Sequence, residues 1–344
     1  MKGELTMPIP VLIGLGLGVA AGVTGVVKAV DAKQKNNQAQ NVNEKARKIY
    51  DEAKADADRA RRTANESVTL LGKERADTLT NECSDFRETF NKIHHIEDSF
   101  PVDFGGQLEW NEEAYVEMKK LETIAFSIAS GALKGSAAGA LTAFGAYGGV
   151  MSFGAASTGT AIASLSGAAA TNATLAFLGG GTLAAGGLGI AGGTMVLGGL
   201  VAGPALAVLG FTLSSKASAN LDNARSNLAK AREIAEELAT LRDGCYKIRD
   251  VARMYTDMLH KLRPLLSSLT QEMVWGIEQY GTDYRRYPED VKQTVAAGMA
   301  TFQAIIPIVR TAIITKDGAV DERALRIIDG AKATLPELRS WQPE

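Results

Sequence analysis

Two glycine patterns, a histidine pair and two cysteines are the places where this sequence could do chemistry. Val11-Leu12-Ile13 ahead of Gly14, Gly16 and Gly18 resembles a strand entering a dinucleotide loop. Gly187-Leu188-Gly189-Ile190-Ala191-Gly192 fits G-x-G-x-x-G literally. Such a loop seats a pyrophosphate only when a second strand with an acidic end lies about 20 residues on. Here the first pattern runs into Lys/Gln/Asn-rich helix and the second into more glycine and alanine. His94-His95 with Glu97 and Asp98 has metal-ligand residue types, but adjacent histidines on a helix point about 100° apart, and no C-x-x-C or H-x-x-x-H joins them. They read as a solvated helix end, and His260 reads as surface. Cys83 and Cys245 form no framework and suit a reducing compartment, a single long-range disulfide being the alternative. No nucleophile, base and orienting group fall into a set. The expectation is a protein that is not an enzyme, with no cofactor, no metal and no small-molecule substrate.

The elements that would have to position any such residues are segregated by charge. The 344 residues carry a net charge of only −2 and 6% aromatics, which argues against nucleic acid as a partner. From Thr123 to Ser215 the only charged residue is Lys134, and the 81 residues from Gly135 to Ser215 have none. An ordinary globular domain interleaves charge every few positions, so a run of this length reads as membrane-class sequence. A shorter uncharged run, Pro8 to Val27, is flanked on its C-terminal side by Lys28, Lys33 and Lys35 with only Asp31 opposing. A retained membrane helix or a buried glycine-rich helix accounts for it better than a cleaved signal peptide, whose n-region would be weak and whose apolar core would be long. The positive flank favours a cytoplasmic place for the chain beyond Lys35.

The flanks read as long helices. Val42, Ala46, Ile49, Ala53, Ala57, Ala60, Ala64, Val68 and Leu71 recur with an eleven-residue period, which predicts a nearly straight or slightly right-handed coiled coil. Its stripe is mostly alanine, so a partner must approach closely. Leu79, Cys83, Phe86, Phe90 and Ile93 continue with larger residues in a heptad-like step. Pro101, Gly105 and Gly106 punctuate a break over 99–108. Beyond the apolar run, Leu221 to Leu269 give a heptad seam in which Pro264 is the expected bend. Arms of similar length on either side of an insert imply an antiparallel pair. Pro288-Glu289-Asp290 is a helix start; Val291 to Ile314 is amphipathic with a kink expected at Pro307, Lys316-Asp317-Gly318 turns the chain, and Asp321 to Leu335 forms a last helix ended by Pro336.

Glycines in the apolar runs keep a four-residue spacing: Gly14, Gly18 and Gly22; Gly131, Gly135 and Gly139; Gly145 and Gly149; Gly189 and Gly193; Gly199 and Gly203. On a helix this spacing lines up a groove without side chains into which another backbone fits. Each glycine costs about 1 kcal/mol against alanine in an exposed helix. The 21 glycines from Gly131 to Gly210 therefore leave this stretch dependent on close neighbours or on lipid. The expected organisation is an N-terminal glycine-zipper helix with its basic flank (1–35), a helical arm (36–122), a glycine- and alanine-rich membrane-inserting hairpin segment (123–215), a second arm (216–285) and C-terminal helices (286–344). The fold class is all-α: antiparallel coiled-coil arms flanking a hydrophobic helical hairpin. A permanent membrane domain is preferred slightly over a segment folded within the bundle in one state and inserted in another.

The stretch from Ser157-Thr158-Gly159-Thr160 through Thr171-Asn172-Ala173-Thr174 to Phe177-Leu178-Gly179-Gly180-Gly181 resembles a family of uncharacterised bacterial glycine-zipper and coiled-coil membrane proteins. The likeness extends to Gly193 and, more loosely, along the arms and the Thr315-Lys316-Asp317-Gly318 turn. Members often carry Trp at Phe177. Some bear the name chemotaxis protein, but the long gapless signalling hairpin such receptors need is lacking here. In composition the central stretch is also similar to apolipoprotein-L-like proteins and small interferon-inducible mitochondrial membrane proteins. Its setting between helical arms is similar to that in α-helical pore-forming toxins. None of these resemblances transfers a catalytic residue; the uncharged glycine-zipper segment between amphipathic arms leads to the expectation of a membrane-inserting protein that self-associates. The expected partners are a lipid bilayer and further copies of the chain, at the cytoplasmic membrane with the charged arms in the cytoplasm. Permeabilising or remodelling the bilayer is the first expectation, a membrane-anchored scaffold the second.

Overall fold

The computed structural model describes residues 24–96, 119, 122–123, 125–126, 137–148, 221–315 and 318–340. The protein is all-α. Helix α1 (Thr24–Thr78) passes through a π turn (Leu79–Cys83) into α2 (Ser84–Phe90). Further along lie α3 (Ala137–Tyr147), α4 (Leu221–Tyr280), a 3-10 turn (Tyr284–Arg286), α5 (Glu289–Arg310) and α6 (Glu322–Ser340). Only isolated β-bridges accompany them among the described residues. At about 1.5 Å per residue, α1 and α4 are each roughly 80–90 Å long. They are rich in Ala, Leu, Glu, Lys and Arg, which lose little rotamer freedom in a helix. Among the described residues no helix is long and apolar enough to cross a membrane.

Two compact units divide both long helices. In the first, α1 up to Tyr50 meets α4 up to Glu233. Ala39, Ala46, Ala224 and Ala231 are fully buried there, and Asn227 Nδ2 donates to Asn43 Oδ1 at 3.0 Å. In the second, α1 from Asp51 and α4 from Ile234 join α2, α3, α5 and α6 around a core of larger side chains. The alanine stripe of α1 faces inward at Ala57, Ala60 and Ala64 and passes through Val68 and Leu71 to Phe86.

Within this second unit the paired positions of α1–α2 and α4 advance together. Arg263 contacts Glu74, and beyond the helix ends the His94 amide donates to the Thr282 carbonyl at 2.7 Å. The two helices therefore run in the same sense, which corrects the antiparallel pairing expected of the arms. Equal lengths flanking an insert are compatible with either sense. Glu122 pairs with Arg87 of α2, and α3 packs on Val68 and Gly72 of α1.

Helix α5 runs opposite to α4, with Val291 against Gly276, and Met273 and Phe86 closing on Gly298. Phe86 stacks on Phe302 at 4.9 Å between ring centroids. Glu289 and Asp290 occupy the first turn of α5, where carboxylates favour the helix dipole. Helix α6 starts on Asp321, whose Oδ1 accepts from the Arg323 amide. It continues through Pro336 to Ser340 instead of stopping at Leu335. Leu338 is buried beyond the proline, and that burial offsets the one backbone bond the ring removes.

Candidate functional site

The charge-free run is described over 137–148, and there its backbone lies directly on α1. A Cβ built on Gly145 would overlap the Val68 carbonyl oxygen, and one built on Gly72 would overlap the Leu141 carbonyl oxygen. Each glycine fills the space the other leaves. Thr69 and Thr142 share a hydroxyl–hydroxyl hydrogen bond of 2.5 Å beside them. Contacts of Val68 with Gly145 and of Gly72 with Leu141 set α3 antiparallel to α1. Such an approach replaces side-chain burial by backbone packing.

The carbonyl end of α3 is closed by groups from two distant parts of the chain. Arg75, with none of its surface exposed, directs Nη1 to the carbonyls of Phe144 (2.9 Å) and Gly145 (3.0 Å) and Nη2 to that of Thr311 (2.8 Å). The Ile313 amide donates to the Ala146 carbonyl at 2.8 Å. Gly148, at φ +53°, terminates the helix in the left-handed region, where glycine carries no Cβ penalty. A Cβ there would stand 2.6 Å from the Arg310 carbonyl oxygen and 2.9 Å from Arg75 Nη1. Among the described residues no carboxylate pairs with Arg75. Its charge is met by carbonyl dipoles at the negative end of α3 and by the Tyr255 ring, 5.4 Å from the guanidinium carbon. Burial pulls its pKa down to about 10, and Nε has no hydrogen-bond partner among the described residues.

Two arginines, each paired with carboxylate, bracket this contact. Arg87 forks onto Glu122, with Nε to Oε1 at 3.0 Å and Nη2 to Oε2 at 2.8 Å. This ties the chain just ahead of the apolar run to α2. Arg263 of α4 bridges Glu74 (2.7 Å) and Glu82 of the π turn (3.0 Å), and His260 Nε2 stands 3.2 Å from the same Glu74 oxygen. Neighbouring residues Glu74 and Arg75 thus make different polar contacts, one with side chains of α4 and the other with backbone carbonyls of α3 and Thr311.

Of the twelve spaced glycines, Gly139 and Gly145 lie on α3. Gly14, Gly18, Gly22, Gly131, Gly135, Gly149, Gly189, Gly193, Gly199 and Gly203 fall outside the described residues, as do both G-x-G patterns. Gly72, which receives Gly145, is not among the spaced set. Its only signal is a lone glycine inside a long charged helical stretch, a position that costs stability unless packing needs it. Arg75 has no signal at all among so many surface arginines. His94 takes part through its backbone, its carbonyl accepting from the Tyr284 amide, while His95 sits at φ 62°. Among the described residues no three His, Cys, Asp or Glu side chains are placed to hold a metal. Cys83 and Cys245 are both buried free thiols, and burial raises the pKa of each. Tyr284 and Tyr287 are buried, whereas Trp275 is 50% exposed. No family model, no curated protein and no solved structure matches this chain.

Proposed function

We propose that this protein is a non-enzymatic, self-associating helical protein that inserts its glycine- and alanine-rich segment into a bilayer and permeabilises or remodels it. The observation that carries the reading is the 81-residue charge-free run, joined through α3 to a heavily charged helical body. Its glycines suit backbone-to-backbone contact, and the docking of Gly145 on Gly72 supports that use at one point of the run. In hydrocarbon a helix satisfies every backbone group within the segment itself. Glycine and alanine supply little insertion energy compared with leucine, so the equilibrium between docked and inserted segment is balanced closely. Purified protein is expected to float with liposomes and to release an entrapped dye, and carbonate extraction of cell membranes is expected to leave it in the pellet. A chain that neither floats nor releases dye at any pH would sink the proposal.

A second reading, a membrane-anchored coiled-coil scaffold without pore activity, draws its support from the length of α1 and α4 and their common direction. It predicts stable oligomers by light scattering with no leakage.

A further inference from the structure

We propose that Arg75 is the centre of an autoinhibitory latch, tying the carbonyl end of α3 to the connector between α5 and α6 and so holding the apolar run against the helical body. As a control on insertion it rests on the membrane reading; as a latch it stands on geometry alone.

The connector is itself braced. The Ile313 carbonyl accepts from the Asp321 amide at 3.0 Å, the Thr315 amide donates to the Ala319 carbonyl at 2.8 Å, and Ile314 bridges to Val320. From this fixed strap come the Ile313 amide on Ala146 and the Thr311 carbonyl on Arg75. The last carbonyls of a helix have no intrahelical donors, and three of those in α3 (Phe144, Gly145 and Ala146) are satisfied by Arg75 and Ile313. Undocking would strip all three at once and take two of its three carbonyl acceptors from the buried guanidinium, leaving that of Thr311, so the contact opens as a unit. Helix α3 spans only 11 residues, below the length at which an isolated helix holds in water. Once released it either melts or moves to another setting that supports a helix, and a bilayer is one. Arg263 is held by two carboxylates, whereas Arg75 is met by carbonyls and the Tyr255 ring with no carboxylate among the described residues, its Nε unused. The latch is the more weakly compensated of these two cations, as a part that must open should be.

The test is hydrogen exchange on the full chain, wild type against Arg75→Met and Arg75→Lys. In Arg75→Met the amides of 141–147 and of Ile313 are expected to exchange at least tenfold faster, while those of 299–306 in α5 change less than twofold. Arg75→Lys keeps the charge but cannot reach both carbonyl groups and should fall between. If Arg75→Met does not fold, Arg75→Lys is judged by the same pattern at a threefold threshold. Unchanged α3 amides, or equal acceleration in every helix, would overturn the latch. In parallel, dye release from phosphatidylcholine–phosphatidylglycerol vesicles should be at least threefold faster for Arg75→Met. Faster exchange without faster release would overturn the link to insertion and leave the latch standing. A wild type and variant that both fail to float would sink the membrane reading instead.

Discussion

The two units use opposite means to bring the same two helices together. Around Asn43 and Asn227 the seam is alanine, with Ala39, Ala46, Ala224 and Ala231 fully buried and one amide–amide hydrogen bond between them. In the second unit it is a core of large side chains in which Phe86, Phe302, Tyr255, Leu259 and Leu262 lose nearly all their exposure. A buried Phe or Leu contributes about 1.5–3 kcal/mol by area, and alanine's single methyl far less. The alanine seam can define a close spacing and a register, but most of the free energy that keeps α1 and α4 together must come from the layer of large residues.

The most direct way to break that contrast is Phe302→Ala. Phe302 is stacked on Phe86 and 1% exposed, so the cavity it leaves should cost about 3–5 kcal/mol, read as a lower urea midpoint. A loss under about 1 kcal/mol would mean that the site collapses freely and that the layer is not the main store of stability. Next in size is Gly145→Ala. Its methyl would overlap the Val68 carbonyl. Backbone cannot yield as a side-chain tip can, and overpacking of this kind costs about 1–3 kcal/mol. The expected outcome is loss of amide protection confined to α3, with the Phe86–Phe302 layer intact. Full retention of protection in α3 would show that the helices can part and re-seat without penalty.

The helices themselves are legible in the sequence because burial and periodicity are the same physical fact seen twice. The alanine stripe of α1 and the Pro288-Glu289-Asp290 start of α5 follow from local rules. The sense in which α1 and α4 pair does not, since a seam presents the same side chains whichever way its partner runs. Nor does the continuation of α6 past Pro336, which depends on where Leu338 finds a pocket. The docking of α3 is half legible. Gly145 belongs to a spaced set, but Gly72 stands alone, and Arg75 is one arginine among many until a helix end is placed against it. A charged residue shows its role only through its surroundings in space.

Alkaline pH tests the large-residue layer without a cavity. Burial raises the pKa of Tyr255 and Tyr284 to about 12 each. The unfolded chain ionises both near the ordinary tyrosine value of about 10, whereas the folded chain holds their protons longer. Their contribution is complete below pH 10 and is lost as pH rises through 12. Tyr284→Phe separates this from packing. The Tyr284 hydroxyl is buried with no hydrogen-bond partner among the described residues, so its removal should be neutral or stabilising by about 1 kcal/mol and should flatten the fall between pH 10 and 12. Thermal melts across that range would show it. An unchanged slope would mean that the hydroxyl reaches water.

The smallest effect is expected at the alanine seam, where a double-mutant cycle on Asn43 and Asn227 sharpens the comparison from its other side. Both side chains are half-buried, so either amide left alone by a single alanine substitution can turn to water, and each single variant should lose about 0.5–1 kcal/mol. The double variant should lose little more, because both halves of the bond are then gone; the coupling is the bond itself. Amide exchange over 39–47 and 224–231 reads this locally. Polar pairs in a helical seam fix register at a modest cost in stability, so the double variant should also exchange with a broader distribution of rates. Zero coupling would reduce the pair to a passive contact, with alanine spacing alone setting the register. A loss above about 2 kcal/mol from either single change would mean a dry, strongly dependent seam, and the contrast between the two ends would fail.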